Sequence, residues 1–330
     1  MAAQGWGEGP GGGVAGGQGP LGGLVAATVT PMDARGVGID SGAMRELAAF
    51  LAERGVRGLF VAGTTGEGPL LDESERLSVA QAALEGGGGR VAVVLQATLP
   101  STQATVRLVR EAGSQGIPAV AAVTPWFYPL GEAALESFYD ALADAAGDVA
   151  LYLYNIPQRA GNAISPGLAE RLARRHPAVA GIKDSSGDME SLLRFLEVAE
   201  RLGGQGAGVG SRRFSVFAGA DHLALPFLRS GGAGIVSGNA GVAPEPFVAL
   251  FRAVESGDER LAERMFALVR RVCDLLGGGL RLDYYKAVLE ARGLRAGRVR
   301  PPLAHGEPGE LAAVVARLRE LYEAEGWPWR

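Results

Sequence analysis

Val149-Ala150-Leu151-Tyr152-Leu153-Tyr154 and Val179-Ala180-Gly181-Ile182-Lys183 bracket a segment, Pro166 to Arg175, whose apolar residues recur at helical spacing. Both runs are apolar without alternation, as in strands of a parallel sheet covered by helices on each face. The same unit repeats outward in both directions. Similar runs stand at Val25–Thr30, Gly58–Ala62, Val91–Gln96, Ala119–Val123, Phe214–Ala218 and Gly234–Ser237, making eight. Helical patterns fill the gaps at Ser41–Arg54, Glu73–Leu84, Thr102–Ala112, Glu132–Ala146, Met189–Arg201, His222–Arg229 and Glu245–Glu255. Asp72 with Glu75 has capping-box spacing, and Ser165-Pro166 offers an N-cap followed by proline at the first helical position. Eight βα units in about 235 residues predict an α/β fold, a closed (β/α)8 TIM barrel over residues 24–257, in preference to an open doubly wound sheet. Helices at Glu259–Leu276, Leu282–Glu290 and Glu310–Glu325 then form a C-terminal appendage, residues 258–330, packed on the barrel because no linker-like stretch separates them.

Residues 1–23 are rich in glycine and poor in large apolar side chains, so they are expected to form a disordered tail. The 330-residue chain is 47% apolar and 21% charged, enough for a large core. Its net charge of −4 gives no basic field for nucleic acid or anionic membrane. Arg292, Arg295, Arg298 and Arg300 read as a solvated face. Cys273, the single cysteine, cannot form an internal disulfide and reads as a small core residue in a reducing, cytoplasmic setting. No apolar stretch approaches the ~18 residues of a membrane span, and the N-terminus lacks the basic and apolar regions of a signal peptide.

In a barrel of this type the catalytic groups gather on the loops that follow the strands. Three segments obey that rule: Gly63-Thr64-Thr65-Gly66-Glu67 after the second strand, Tyr154-Asn155-Ile156-Pro157 at the end of the fifth, and Lys183 at the end of the sixth. An amine at the mouth of a dry strand loses hydration as an ammonium ion, which favours the free nucleophile that makes a Schiff base. Alone, Lys183 reads equally as a lysine reaching from a strand end into water. The Gly63–Gly66 loop offers successive backbone N–H groups and two hydroxyls, a nest suited to a carboxylate; alone it is also an ordinary glycine-rich turn. Tyr154 can relay a proton, or it can be an interior aromatic with a satisfied hydroxyl. Gly206-Ala207-Gly208-Val209-Gly210 stands between a helix and a strand, the reverse of a nucleotide-binding context. His176, His222 and His305 show no ligand spacing, so no metal site is expected, and His176 before Pro177 looks like a helix end.

Together, Gly63-Thr64-Thr65-Gly66-Glu67, Tyr154-Asn155-Ile156-Pro157 and Gly181-Ile182-Lys183-Asp184 resemble the dihydrodipicolinate synthase / N-acetylneuraminate lyase family of class I aldolases. The likeness runs from about Val25 to Leu303, with Thr30-Pro31 and Ala218-Gly219 also in place. By this resemblance Lys183 forms an imine with pyruvate or another 2-oxo acid, Thr64 and Thr65 hold the substrate carboxylate, and Tyr154 relays protons with Thr64. The resemblance also implies that Gly63, Gly66, Phe127, Tyr128, Arg159 and Ser237 line the substrate site. It implies no cofactor and no metal, and a homo-oligomer, a dimer of dimers, with Trp126-Phe127-Tyr128 at an interface.

Two positions bear on substrate choice. Arg159 matches the arginine with which synthases of the family hold the distal carboxylate of aspartate semialdehyde, and a guanidinium suits that task. Its other reading is a rim arginine in solvent. Phe127 falls where the second relay tyrosine, contributed across a dimer interface, stands in the family; a missing relay group costs on the order of 10²–10⁴ in rate. Tyr128 substitutes if the loop shifts by one residue. The family's lysine feedback pocket is not evident, because Trp126, Glu73, Arg76 and Pro100 occupy its segments. The leading expectation is therefore a 4-hydroxy-tetrahydrodipicolinate synthase-like condensation of pyruvate with aspartate semialdehyde. The alternatives are a 2-keto-3-deoxy sugar acid aldolase or dehydratase, an N-acetylneuraminate lyase-like enzyme, and a barrel that binds 2-oxo acids without turnover. A metal-dependent class II aldolase is disfavoured by the lack of clustered ligands.

Overall fold

The computed structural model describes residues 21–203, 214–279 and 281–330. Eight parallel strands close into one barrel in sequence order: β1 (Gly23–Ala27), β2 (Gly58–Val61), β3 (Ala92–Gln96), β4 (Ala119–Val123), β5 (Ala150–Asn155), β6 (Val179–Asp184), β7 (Ser215–Ala218) and β8 (Gly234–Ser237). Helices α1 (Ser41–Glu53), α2 (Glu73–Gly87), α3 (Thr102–Ser114), α4 (Glu132–Ala146), α5 (Pro157–Ala160), α6 (Pro166–Arg175), α7 (Met189–Gly203), α8 (Ala224–Arg229) and α9 (Pro244–Ser256) follow the strands. Alternate strand residues divide the core. Val25, Phe60, Val94, Ala121, Tyr152 and Phe217 fill the barrel, while neighbours such as Leu24, Leu59 and Val93 pack outward against the helices. The chain is thus an α/β TIM barrel with additional C-terminal helices.

The caps are where the sequence places them. The Asp72 carboxylate accepts from the N–H of Glu75 while the Glu75 carboxylate accepts from the N–H of Asp72, and Ser165 Oγ accepts from the N–H of Leu168 at 3.0 Å. His176 is the C-cap of α6.

Three boundaries differ from expectation. The first strand is Gly23–Ala27, two residues earlier than the predicted Val25–Thr30, because closure aligns Gly23 with Gly234. A Cβ on Gly234 would lie 2.0 Å from the Gly23 carbonyl oxygen, so the seam closes only through glycine. Leu21 and Gly23 are tied to that seam, by Ser215 Oγ donating to the Leu21 carbonyl and the Gly23 N–H donating to Ala233; residues 1–20 of the predicted tail lie outside the described residues, as does Gly206–Gly210. The predicted helix His222–Arg229 begins as a 3₁₀ turn, Asp221–Leu223, because Pro226 has no N–H to bond back to His222. The four-residue α5 is too short to show a periodicity.

The C-terminal helices α10 (Glu259–Leu275), α11 (Leu282–Ala291) and α12 (Pro308–Glu325) pack on the barrel, α10 against α8 and α9, and α12 against α10 and α11. The solvated arginine face is corrected here. Arg292 is buried, its guanidinium donating to Glu245 and to the carbonyl of Val242, and Arg300 is largely buried against Glu75 at 2.6 Å; Arg295 does remain exposed, paired with Asp40 and Glu46. The segment after α11 runs back toward the turn after β2, so Arg292 and Arg300 meet carboxylates, whereas Arg298 stays exposed as expected.

Candidate active site

The turn after β2 is shaped by close backbone approaches. A Cβ on Gly68 would sit 1.9 Å from the Ala62 carbonyl oxygen, and one on Gly63 would sit 2.7 Å from the Phe60 ring. The turn is closed by the Gly68 N–H donating to Gly63 O at 2.9 Å and fixed from outside by Thr30 Oγ1 donating to Gly66 O at 2.7 Å. Thr64 and Thr65 are left half-buried at the barrel mouth.

Lys183 ends the interior face of β6 and is 6% exposed. Its Nζ stands 4.2 Å from the ring centroids of both Phe60 and Tyr154, so two aromatic faces hold the amine. Behind it, a Cβ on Gly219 would lie 3.1 Å from Lys183 Cε and 1.9 Å from Ser185 Oγ; only glycine leaves the lysine room. Tyr154, fully inside, has its hydroxyl 3.3 Å from Thr64 Oγ1. Burial would raise the phenol's pKa, but the charge of Lys183 and hydrogen bonds with Thr64, Lys183 and Ser185 outweigh it and hold the value below 10.0. The structure therefore brings Lys183, Tyr154 and Thr64 together, with Thr65, Gly63 and Gly66 in the adjoining turn. An amine, a phenol of lowered pKa and a hydroxyl in contact at a barrel mouth form a nucleophile with a proton relay beside it.

The sequence model of the dihydrodipicolinate synthetase family matches residues 20–321. The chain belongs to this family. Among its relatives, an uncharacterized DapA-like lyase of Halobacterium salinarum is 36% identical over 304 residues, covering 92% of this chain and 95% of the relative. The 4-hydroxy-tetrahydrodipicolinate synthase of Methanopyrus kandleri is 31% identical over 299 residues, covering 91% and 96%. The fold is shared with a Ruminococcus gnavus sialic acid aldolase, TM-score 0.84 at 24% identity, covering 92% of this chain and 97% of that one. The chain is accordingly an enzyme, a lyase of the class I aldolase type.

In this dihydrodipicolinate synthetase family member three of the expected substrate-site residues do not join that cluster within the single chain. Ser237 is buried and spends its hydroxyl on Asp221 Oδ2 at 2.8 Å, so it is a support of the wall. Phe127 and Tyr128 are 85% and 69% exposed, turned outward as an edge-to-face pair with ring centroids 5.1 Å apart. Phe127 is held in the left-handed region, φ 79°, by a loop that Asn162 grips: its Nδ2 donates to Pro125 O and Tyr128 O, and its Oδ1 accepts from the Leu130 N–H. Arg159 projects from α5 on the exposed side, and its guanidinium makes no hydrogen bond or ion pair among the described residues. Arg76 is buried and donates to the carbonyls of Gly68, Leu71, Gln96 and Thr98 and to the Gln96 side chain, so its guanidinium serves mainly to tie backbone within the fold.

Sequence reading missed a buried polar layer beside the lysine. Asp184 accepts from Asn155 Nδ2 at 2.9 Å and from Ser186, fixing the ends of β5 and β6. Asp221 accepts from Ser237, Asn239 and Cys273, and Tyr285 donates to Asn239 Oδ1 at 2.7 Å. Burial raises the Asp221 carboxyl above its usual range, with the hydrogen bonds only partly opposing it, and burial with Asp221 nearby pushes the Cys273 thiol up. Cys273 is thus a hydrogen-bonding member of this layer, beyond the small core residue its sequence suggests. Asn155 and Asp184 stand inside two of the quoted motifs without a role read for them, whereas Asp221, Ser237, Asn239, Cys273 and Tyr285 come from separate elements and share no motif spacing. Among the described residues no cluster of His, Cys, Asp and Glu is placed to hold a metal ion, and no helix is long and apolar enough to cross a membrane.

Proposed function

We propose that this enzyme is a pyruvate-dependent Schiff-base lyase that condenses pyruvate with an aldehyde carrying a distal carboxylate, in the manner of 4-hydroxy-tetrahydrodipicolinate synthase. One observation carries the reading: the amine of Lys183, the phenol of Tyr154 and the hydroxyl of Thr64 meet at one point of the barrel mouth. Lys183 Nζ adds to the keto carbon of pyruvate, and Tyr154 delivers the proton with which the carbonyl oxygen leaves as water. Thr64, Thr65 and the Gly63–Gly66 amides receive the carboxylate. Loss of a methyl proton from the imine gives an enamine, which forms the carbon–carbon bond with the aldehyde; hydrolysis or transimination then frees the lysine. Arg159, unpaired on the loop that follows β5, supports an anionic acceptor.

A second reading, cleavage of a 2-keto-3-deoxy sugar acid, is favoured by Phe127, which offers no hydroxyl for a relay and faces outward. Borohydride in the presence of pyruvate tests the shared step. Inactivation with a reduced pyruvyl group on the Lys183 peptide is the expected result. Label at another lysine, or no label alongside activity that a chelator removes, overturns both readings. No turnover of any aldehyde, with pyruvate still bound, identifies a binding protein instead.

A further inference from the structure

Glu67, the last residue of the Gly63–Glu67 turn, is buried and paired with Lys286 of α11, Oε1 to Nζ at 2.7 Å, with neither side chain reaching solvent. Glu67 Oε2 accepts from the backbone N–H of Arg300 at 2.6 Å, and Lys286 Nζ donates also to Arg298 O at 2.7 Å. Arg300 in turn donates from its guanidinium to Leu70 O at 2.9 Å and to Glu75. The C-terminal segment therefore grips the turn at Glu67 and again just beyond it. Residue 285 reaches the other side: an added Cβ at Gly238 would lie 3.2 Å from the Tyr285 ring and 2.8 Å from Thr65 Oγ1, so Tyr285 and Thr65 flank the same glycine.

A buried ion pair is a poor source of stability, because desolvation offsets the attraction and apolar residues of like volume serve as well or better. Burial indeed pushes the Lys286 ammonium down, with Glu67 only partly opposing it. What such a pair supplies is a fixed direction. Glu67 needs one, since its backbone is left-handed, φ 58°, ψ 25°, and the turn's inner bonds are few: Glu67 N–H to Thr64 O at 3.3 Å and Gly68 N–H to Gly63 O.

We infer that Lys286, from the C-terminal appendage, is a positioning residue for the active site, aiming the Thr64-Thr65 hydroxyls and the turn's amides at the substrate carboxylate through Glu67. This rests on the proposed role of that turn as the carboxylate site. Two variants test it. Lys286→Met strands the Glu67 charge, whereas Glu67→Leu/Lys286→Met removes the pair without stranding either charge and so is expected to melt at or above the wild type. In both, kcat/KM for pyruvate should fall by about 10²-fold, the scale of a displacement near 1 Å at a reacting site. The loss should appear mainly in KM for pyruvate, with KM for the aldehyde little changed and Lys183 still trapped by borohydride at saturating pyruvate. A double variant that melts like the wild type and keeps its KM for pyruvate overturns the inference and leaves the pair a structural tie. Failure of the wild type itself to be trapped at Lys183 sinks the proposed function instead, so the two failures are told apart.

Discussion

At the scale of single residues the chemistry depends on how Tyr154 is held. Its ring lies edge-on to Phe60, centroids 5.5 Å apart, and its oxygen meets Thr64, so Tyr154→Phe should leave the fold intact and remove only the relay. A loss of about 10²–10⁴ in kcat is expected, measured with saturating pyruvate and aldehyde. The phenol is the form that donates, and its pKa lies below 10.0, so the alkaline limb of kcat/KM should begin below that pH and be absent from whatever activity Tyr154→Phe retains. Arg159 makes a different prediction. With its guanidinium unpaired, Arg159→Ala should leave imine formation nearly intact but weaken capture of aspartate semialdehyde by roughly 1.5–3 kcal/mol, while glyceraldehyde is hardly affected. Equal losses on both aldehydes would reduce Arg159 to a loop support. Lys183, Tyr154 and Thr64 were legible because each stands at the end of an apolar run or in a glycine-punctuated turn. Asp221 and Glu67's partner were not, since what makes them matter is burial beside residues from other units, which no local pattern encodes.

Among the elements, the appendage is fastened by Glu245 at the start of α9. Its carboxylate accepts from Arg54, Arg292 and Tyr322, and both Glu245 and Arg292 are nearly closed off from water. Burial alone would raise the pKa of Glu245, but the bond and charge of Arg292, with Tyr322, bring it below the ordinary 4.5. A carboxylate depressed in the folded state stabilises above its unfolded pKa, and that stability is lost as pH falls through the folded value. Acid unfolding should thus steepen below pH 4.5 in the wild type, and Glu245→Gln should flatten that dependence. At neutral pH the same change should cost about 3–5 kcal/mol by stranding the buried guanidinium, read from denaturant melts. Unchanged melts would show that the clamp contributes nothing. The strands and long helices were readable from periodicity and caps. The shift of β1 and the burial of Arg292 were not, because the first is set by the register of barrel closure and the second by the return path of a loop.

At the scale of the whole molecule, Phe127 and Tyr128 at the tip of the loop after β4 are the most exposed large apolar side chains among the described residues, wet in the single chain. Exposed aromatic pairs of this kind mark contact surfaces. Sedimentation at micromolar concentration should show a dimer or tetramer. Phe127→Gly should weaken that association without lowering the melting temperature of the separated subunit, since the ring buries little and glycine relieves the left-handed backbone. A wild-type chain that stays monomeric would refute this. The closure of the barrel and the pairing of Glu67 also fall at different times in the life of the polypeptide. All eight strands have left the ribosome once residue 237 emerges, but the amide that caps the Glu67 carboxylate lies 233 residues after it, at Arg300. Until Lys286 and that stretch are translated, the Glu67 carboxylate lacks both of its partners. A chain cut short before Lys286 should therefore hold all eight strands and still leave its carboxylate turn unaimed, so that a complete barrel is not yet a working site.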